Sequence, residues 1–102
     1  MEHLDQTTWL EQYKGEDNAV ILDVRTPGEW AEGIIAGAQK LNIMDTQNFV
    51  AEIEKMDKSK SYYIYCRSGN RSGQACQIME QFGFDKTYNL VGGVMEWTGE
   101  LV

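Results

Sequence analysis

Apolar positions along this chain follow two different periods. Residues 19–24, Ala-Val-Ile-Leu-Asp-Val, form an almost unbroken apolar run of strand length. Residues 61–66, Ser-Tyr-Tyr-Ile-Tyr-Cys, form another. Short continuous runs of this kind predict strands covered on both faces. Elsewhere the spacing is helical. Trp9, Leu10 and Tyr13 share one face of a first predicted helix, with Thr7 or Thr8 as its N-cap and Gly15 as its stop. Pro27 and Gly28 end the first long strand, and Pro27 opens a short helix containing Trp30. Phe49, Ile53 and Met56 line one side of a helix over 46–57. Ala75, Ile78, Met79 and Phe82 line another over 71–83, with Gly83 at the position following the C-cap. A short strand is predicted over 38–43, a last strand and turn over 86–93, and a short closing helix over 94–101. Buried strands alternating with helices define an α/β fold. It is a small parallel sheet of about four to five strands flanked by helices, spanning residues 1–102 as one domain.

Composition narrows the function. The 102 residues are 42% hydrophobic and 25% charged, as in ordinary globular chains. The net charge is −7 and the pI about 4.5. That balance argues against nucleic acid or an anionic membrane as partner, and leaves room for a small anion in a locally positive pocket. No stretch approaches the roughly 20 apolar residues of a membrane span. The N-terminal residues show no basic, apolar leader, so the reading is cytoplasmic. Cys66 and Cys76 are the two cysteines and His3 the one histidine, too few for a zinc site.

The chemistry concentrates in residues 66–72, Cys-Arg-Ser-Gly-Asn-Arg-Ser. Parallel sheets bind ligands at the carboxyl ends of their strands. Cys66 falls at one such end, and Asp23 and Arg25 at or just past another. A tight strand-to-helix loop can turn its N–H groups inward and adds the positive end of the following helix. Gly69 permits a left-handed turn, Arg67 and Arg71 supply charge, and Ser68 and Ser72 supply hydroxyls. A cysteine at the rim of this cradle is expected to be thiolate at neutral pH without a general base. A lone cysteine ending a buried strand is ordinarily a small core residue; its arginine, serine and glycine neighbours favour a nucleophile. Asp23 and Arg25 are expected to brace the loop through charge-assisted hydrogen bonds. Cys76, roughly two turns down the helix, reads as a buried structural thiol, with a resolving cysteine as the alternative. Trp30 and Trp97 read as packing residues, and Gly92 and Gly93 as a tight turn.

Together these residues resemble the rhodanese-like family. Its C-x-x-G-x-R-[ST] loop is matched at Cys66, Gly69, Arg71 and Ser72. Its upstream signature is matched at Asp23, Val24, Arg25, Glu29, Trp30, Gly33, Ile35, Gly37 and Ala38, and its L-x-G-G-x-x-x-W ending at Leu90, Gly92, Gly93 and Trp97. Ile34 stands where the family usually has histidine, and Ser68 where thiosulfate-specialised members tend to carry a basic residue. The resemblance implies a sulfurtransferase with Cys66 carrying a persulfide, and residues Arg67, Ser68, Gly69, Asn70, Arg71 and Ser72 as its cradle. It implies a small anionic sulfur donor, a thiol or protein sulfur acceptor, and no cofactor. A sulfur-carrier or interaction module with little turnover of its own is the alternative. Cysteine phosphatases and arsenate reductases share such a cradle but space it C-x5-R. Four residues separate Cys66 from Arg71, a smaller ring that suits one sulfur atom better than a tetrahedral oxyanion.

Overall fold

The computed structural model describes all of residues 1–102. Its strands are β1 (Glu2–Leu4), β2 (Ala19–Asp23), β3 (Gln39–Lys40), β4 (Ser61–Tyr65) and β5 (Thr87–Leu90). They form one sheet of order β1-β5-β4-β2-β3, and every pairing is parallel. The helices are α1 (Gln6–Lys14), α2 (Pro27–Trp30), α3 (Thr46–Glu54) and α4 (Asn70–Gln81), followed by a 3-10 turn at Gly93–Met95. No helix is long and apolar enough to cross a membrane.

The two long apolar runs behave as their composition requires. β4 is central and every residue in it is buried. Alternate side chains go to opposite faces. Leu22, Val24, Tyr62, Ile64 and Cys66 pack with Phe49 and Ile53 of α3 and Ala75, Cys76 and Met79 of α4. Ile21, Tyr63, Tyr65 and Leu90 pack with Trp9 of α1. Cys66 thus belongs to the face covered by α3 and α4.

Several boundaries differ from the sequence reading. Asp5, not Thr7 or Thr8, caps α1: its carboxylate accepts a 2.8 Å bond from Thr8 N–H. The strand expected over 38–43 shrinks to the two residues of β3, because beyond Lys40 the chain pairs by isolated bonds, Leu41 N to Asp23 O and Ile43 N to Val24 O. The closing helix is only the 3-10 turn. The N–H groups of Val94 and Met95 bond the carbonyls of Cys66 and Arg67 at 3.0 Å. Thr98 N–H and its hydroxyl both donate to Gln6 Oε1 at 2.9 Å, drawing the chain out of helical register. β1 was not expected at all. Gly83 follows the C-cap of α4 at φ +95°, as read from its position.

Candidate active site

β4 delivers Cys66 to the C-terminal edge of the sheet, between β5 and β2. The chain then turns within three residues and enters α4. Gly69 makes that turn at φ +107°, a conformation that strains any side chain, and serves as the N-cap. Asn70, Arg71 and Ser72 therefore lie in the first helical turn rather than in the loop.

The donors converge on sulfur. Gly69 N–H points at Cys66 Sγ at 3.0 Å, and Ser72 Oγ lies 3.3 Å from it. Burial of Cys66 pushes its thiol pKa up, but the Ser72 hydroxyl and the backbone N–H groups of Ser72, Gly69 and Ser68 outweigh it. The thiol ends below its ordinary value. No histidine base touches the sulfur; the field comes from hydrogen-bond donors.

Outside the ring, each support uses a group that the ring leaves pointing outward. The turn at Gly93–Met95 takes the carbonyls of Cys66 and Arg67, which fixes those peptides with their oxygens away from the sulfur. Arg71 turns to Glu29 of α2 in a two-pronged ion pair of 2.7 and 2.9 Å. That pair, with bonds from Thr26, holds the Glu29 carboxyl down at about 2 from an ordinary 4.5. A carboxylate with a depressed folded pKa contributes fully above its unfolded value. The contact between α2 and α4 is therefore complete above pH about 4.5 and is lost as pH falls through about 2. Between those limits the stability of Glu29→Gln should therefore fall less steeply with pH than that of wild type, as denaturant unfolding followed by circular dichroism at each pH measures.

Asp23 and Arg25 are where expected, at and just past the end of β2, but their bonds do not reach residues 66–72. Asp23 takes both Nε and Nη2 of Arg25, at 3.0–3.1 and 2.7 Å. It also accepts the Tyr65 hydroxyl at 2.6 Å. Arg25 Nη2 donates onward to Gly33 O at 2.7 Å, and Tyr65 Oη accepts Ile35 N–H at 3.0 Å. The pair thus knits the 33–35 loop to the residue before Cys66. Burial first, then Asp23, raises the Tyr65 phenol, so it stays a donor. Ile34 sits in this loop, and its backbone bonds Val102 in both directions, at 2.9 and 2.7 Å. Main chain anchors the position whose side chain departs from the family pattern.

Sequence reasoning gave no role to Glu29, Tyr65, Asn89 or His3. Glu29 carried one signal, a place in the family signature. Asn89 carried another, a polar amide between Tyr88 and Leu90 inside a strand.

Cys76 is fully buried on α4 and burial pushes its thiol up to about 12. Neither cysteine is in a disulfide. In native protein at pH 8, iodoacetamide should modify Cys66 and leave Cys76 intact until denaturant is added; peptide mass mapping reads both.

Beside the ring opens a cleft of about 380 Å³. Arg25, Glu29, Glu32, Arg67, Val94, Met95 and Leu101 line it. Arg67 has no ion-pair partner, whereas Arg25 and Arg71 both have carboxylates. A parallel α/β sheet with a thiol inside a ring of donors at its carboxyl edge defines a cysteine-loop protein of the doubly covered type. The rhodanese-like domain model matches residues 6–100, and the chain belongs to that family. It is 38% identical over 88% of its length to the putative sulfurtransferase YtwF of Bacillus subtilis, covering 84% of that protein. It is 36% identical over 76% of its length to the thiosulfate sulfurtransferase GlpE of Coxiella burnetii, covering 70% of it. The crystal structure of SSP1007 from Staphylococcus saprophyticus matches with a TM-score of 0.84 at 32% identity, covering 100% of this chain and 99% of that one.

Proposed function

We propose that this protein is a sulfurtransferase whose Cys66 carries sulfane sulfur as a persulfide. The observation that supports this most directly is the convergence of Gly69 N–H and the Ser72 hydroxyl on Sγ, in a ring with no side-chain base. The Cys66 thiolate attacks the outer sulfur of thiosulfate. A Cys66–sulfur bond forms, the sulfur–sulfur bond of the donor breaks, and sulfite leaves with its electron pair. A nucleophile such as cyanide, or a thiol, then takes the outer sulfur and returns Cys66 to thiolate. The ring's donors stabilise the sulfur anion at each stage by preorganised dipoles. Two free thiols fit a reducing compartment such as the cytoplasm. Ser68, Asn70 and Arg67 complete the cradle in this reading, Arg67 facing the incoming anion.

A second reading has specific support. Arg67 is the one loop cation without a carboxylate partner, so the site attracts a free dianion weakly. A carrier loaded by a persulfide-bearing partner fits that economy. Phosphate chemistry is disfavoured by the same geometry: the arginine that would grip a tetrahedral oxyanion is held by Glu29, which would repel the anion.

Intact mass after incubation with thiosulfate tests the proposal. A gain of about 32 Da, mapped to the Cys66 peptide and removed by cyanide, is the expected result. Loading by a persulfide donor but not thiosulfate would select the carrier reading. Loading by neither would overturn sulfur transfer.

A further inference from the structure

The exposed large apolar side chains are gathered at one end of the molecule. They are Met44, Val91, Met95, Leu101 and Val102, and all lie at the carboxyl edge of the sheet, the edge that carries Cys66. Met44 follows β3, next to the Ile43 N–H that bonds Val24 O. Val91 follows β5, and its neighbours abut the turn at Gly69, where a Cβ would be 3.4 Å from Leu90 O and 3.6 Å from Gly92 N. Met95, 65% exposed, is tied by its N–H to Arg67 O at 3.0 Å. Val102 pairs with Ile34, and Leu101 beside it lines the cleft with Met95 and Arg67. Single surface apolar residues are ordinary, but a collar of them around a reactive site marks a contact surface.

The charges around this collar are mostly of one sign. Glu32 lines the same cleft, the Glu96 carboxyl lies against Gly92, and Glu100 adjoins Leu101. All three are exposed, and none is in an ion pair. Against them stands one unpaired cation, Arg67. That balance sets the chemistry of the occupant. A second copy of this chain would bring acidic rim against acidic rim, and an anionic membrane would be repelled as well. Thiosulfate is a small dianion with no apolar part, so it fills neither the cleft of about 380 Å³ nor the collar.

We propose that the collar docks a protein that takes sulfur from Cys66, through a segment in which the partner's cysteine is flanked by apolar and basic residues. The apolar flanks cover Met95 and Leu101, and the basic flanks meet Glu32, Glu96 and Glu100. The transfer rests on the sulfurtransferase reading above; the docking does not. In the transfer, the partner's thiolate attacks the outer sulfur of the Cys66 persulfide. A sulfur–sulfur bond forms to the partner and the bond to Cys66 Sγ breaks. The electron pair of that bond stays on Sγ, and the proton stays on the sulfur that moves.

The test uses end-blocked peptides of sequence Lys-Leu-Cys-Leu-Lys, Glu-Leu-Cys-Leu-Glu and Lys-Ser-Cys-Ser-Lys. Wild type is loaded with sodium tetrasulfide, desalted and mixed with each, and the peptide's gain of about 32 Da gives the rate. The lysine–leucine peptide should react at least about tenfold faster than the glutamate peptide at low salt. It should react at least about fivefold faster than the serine peptide. The charge preference should collapse at about 1 M salt, where screening reaches about 3 Å. It should also collapse in Glu96→Lys/Glu100→Lys, or in Glu100→Lys alone should the pair not fold. Equal rates for the three peptides, or a charge preference untouched by these variants, overturns the proposal. Loaded protein that yields its sulfur to cyanide but to none of the peptides overturns docking and leaves sulfur transfer standing. Failure of tetrasulfide to load Cys66 overturns sulfur transfer instead. Docking is then read from the amide shifts of isotope-labelled protein titrated with Lys-Leu-Ser-Leu-Lys: movement at Val91, Met95 and Leu101 sustains it, and none overturns it.

Discussion

Cys66→Ser should lower thiosulfate–cyanide sulfur transfer by at least about 10³-fold while leaving the fold nearly as stable as wild type. The magnitude follows from what the ring can do. It lowers the thiol below its ordinary value, because the Ser72 hydroxyl and three backbone N–H groups overcome the burial cost. A serine hydroxyl starts far higher and stays protonated in the same ring, so the nucleophile is lost altogether. A 10³-fold loss is about 4 kcal/mol of transition-state stabilisation. The fold barely notices, because oxygen replaces sulfur at a site already rich in donors. Steady-state kinetics with thermal melting separates the two effects: a variant retaining more than a tenth of wild-type turnover would remove Cys66 from the chemistry.

Gly93→Ala has the largest expected effect on stability. Gly93 has φ +57°, and a Cβ there would sit 2.4 Å from Arg67 O and 2.5 Å from Arg67 C and Cys66 O. All of these are main-chain atoms, so no side chain can swing aside. The 3-10 turn must back away, and the two bonds it makes to the carbonyls of Cys66 and Arg67 are lost with it. Strain plus two exposed carbonyls amounts to about 2–4 kcal/mol. For a domain of this size each kcal/mol moves Tm by roughly 4–8 °C. A fall of at least about 10 °C in a calorimetric scan is the result expected, with sulfur loading impaired as well. Gly28→Ala is the contrast. Nothing lies within 4 Å of a Cβ there, and α2 is helical, so it should be neutral or slightly stabilising. Equal losses at both glycines would contradict the contact geometry.

The parallel α/β order and the position of Cys66 were legible in the sequence because both depend on local signals. Unbroken apolar runs mark β2 and β4, and a glycine between strand and helix marks the turn at Gly69. β1 was not legible. Glu2, His3 and Leu4 show no apolar pattern, because an edge strand of three residues is half exposed and is held by main-chain pairing to β5. The partners of the site residues were equally hidden. Arg71 meets Glu29 across 42 positions and Asn89 meets His3 across 86; only the closed sheet brings such residues together. For the same reason Asp23 and Arg25, correctly placed at a strand end, brace Tyr65 and the 33–35 loop rather than the ring itself.

The pairing of Arg25 and Arg71 with carboxylates bears on how fast a donor arrives. Those two cations are cancelled at short range, and the whole chain carries −7. Seen from a distance, the protein repels a sulfur dianion, and only Arg67 and the short-range dipoles of the ring attract it. Electrostatic encounter rates follow that long-range field, which salt screens beyond about 10 Å at 0.1 M. Added salt should therefore speed the bimolecular capture of thiosulfate, the opposite of what a cation-lined mouth does. Selectivity among small anions would then rest on contact inside the ring, where one sulfur atom fits among the donors, and not on diffusion to it.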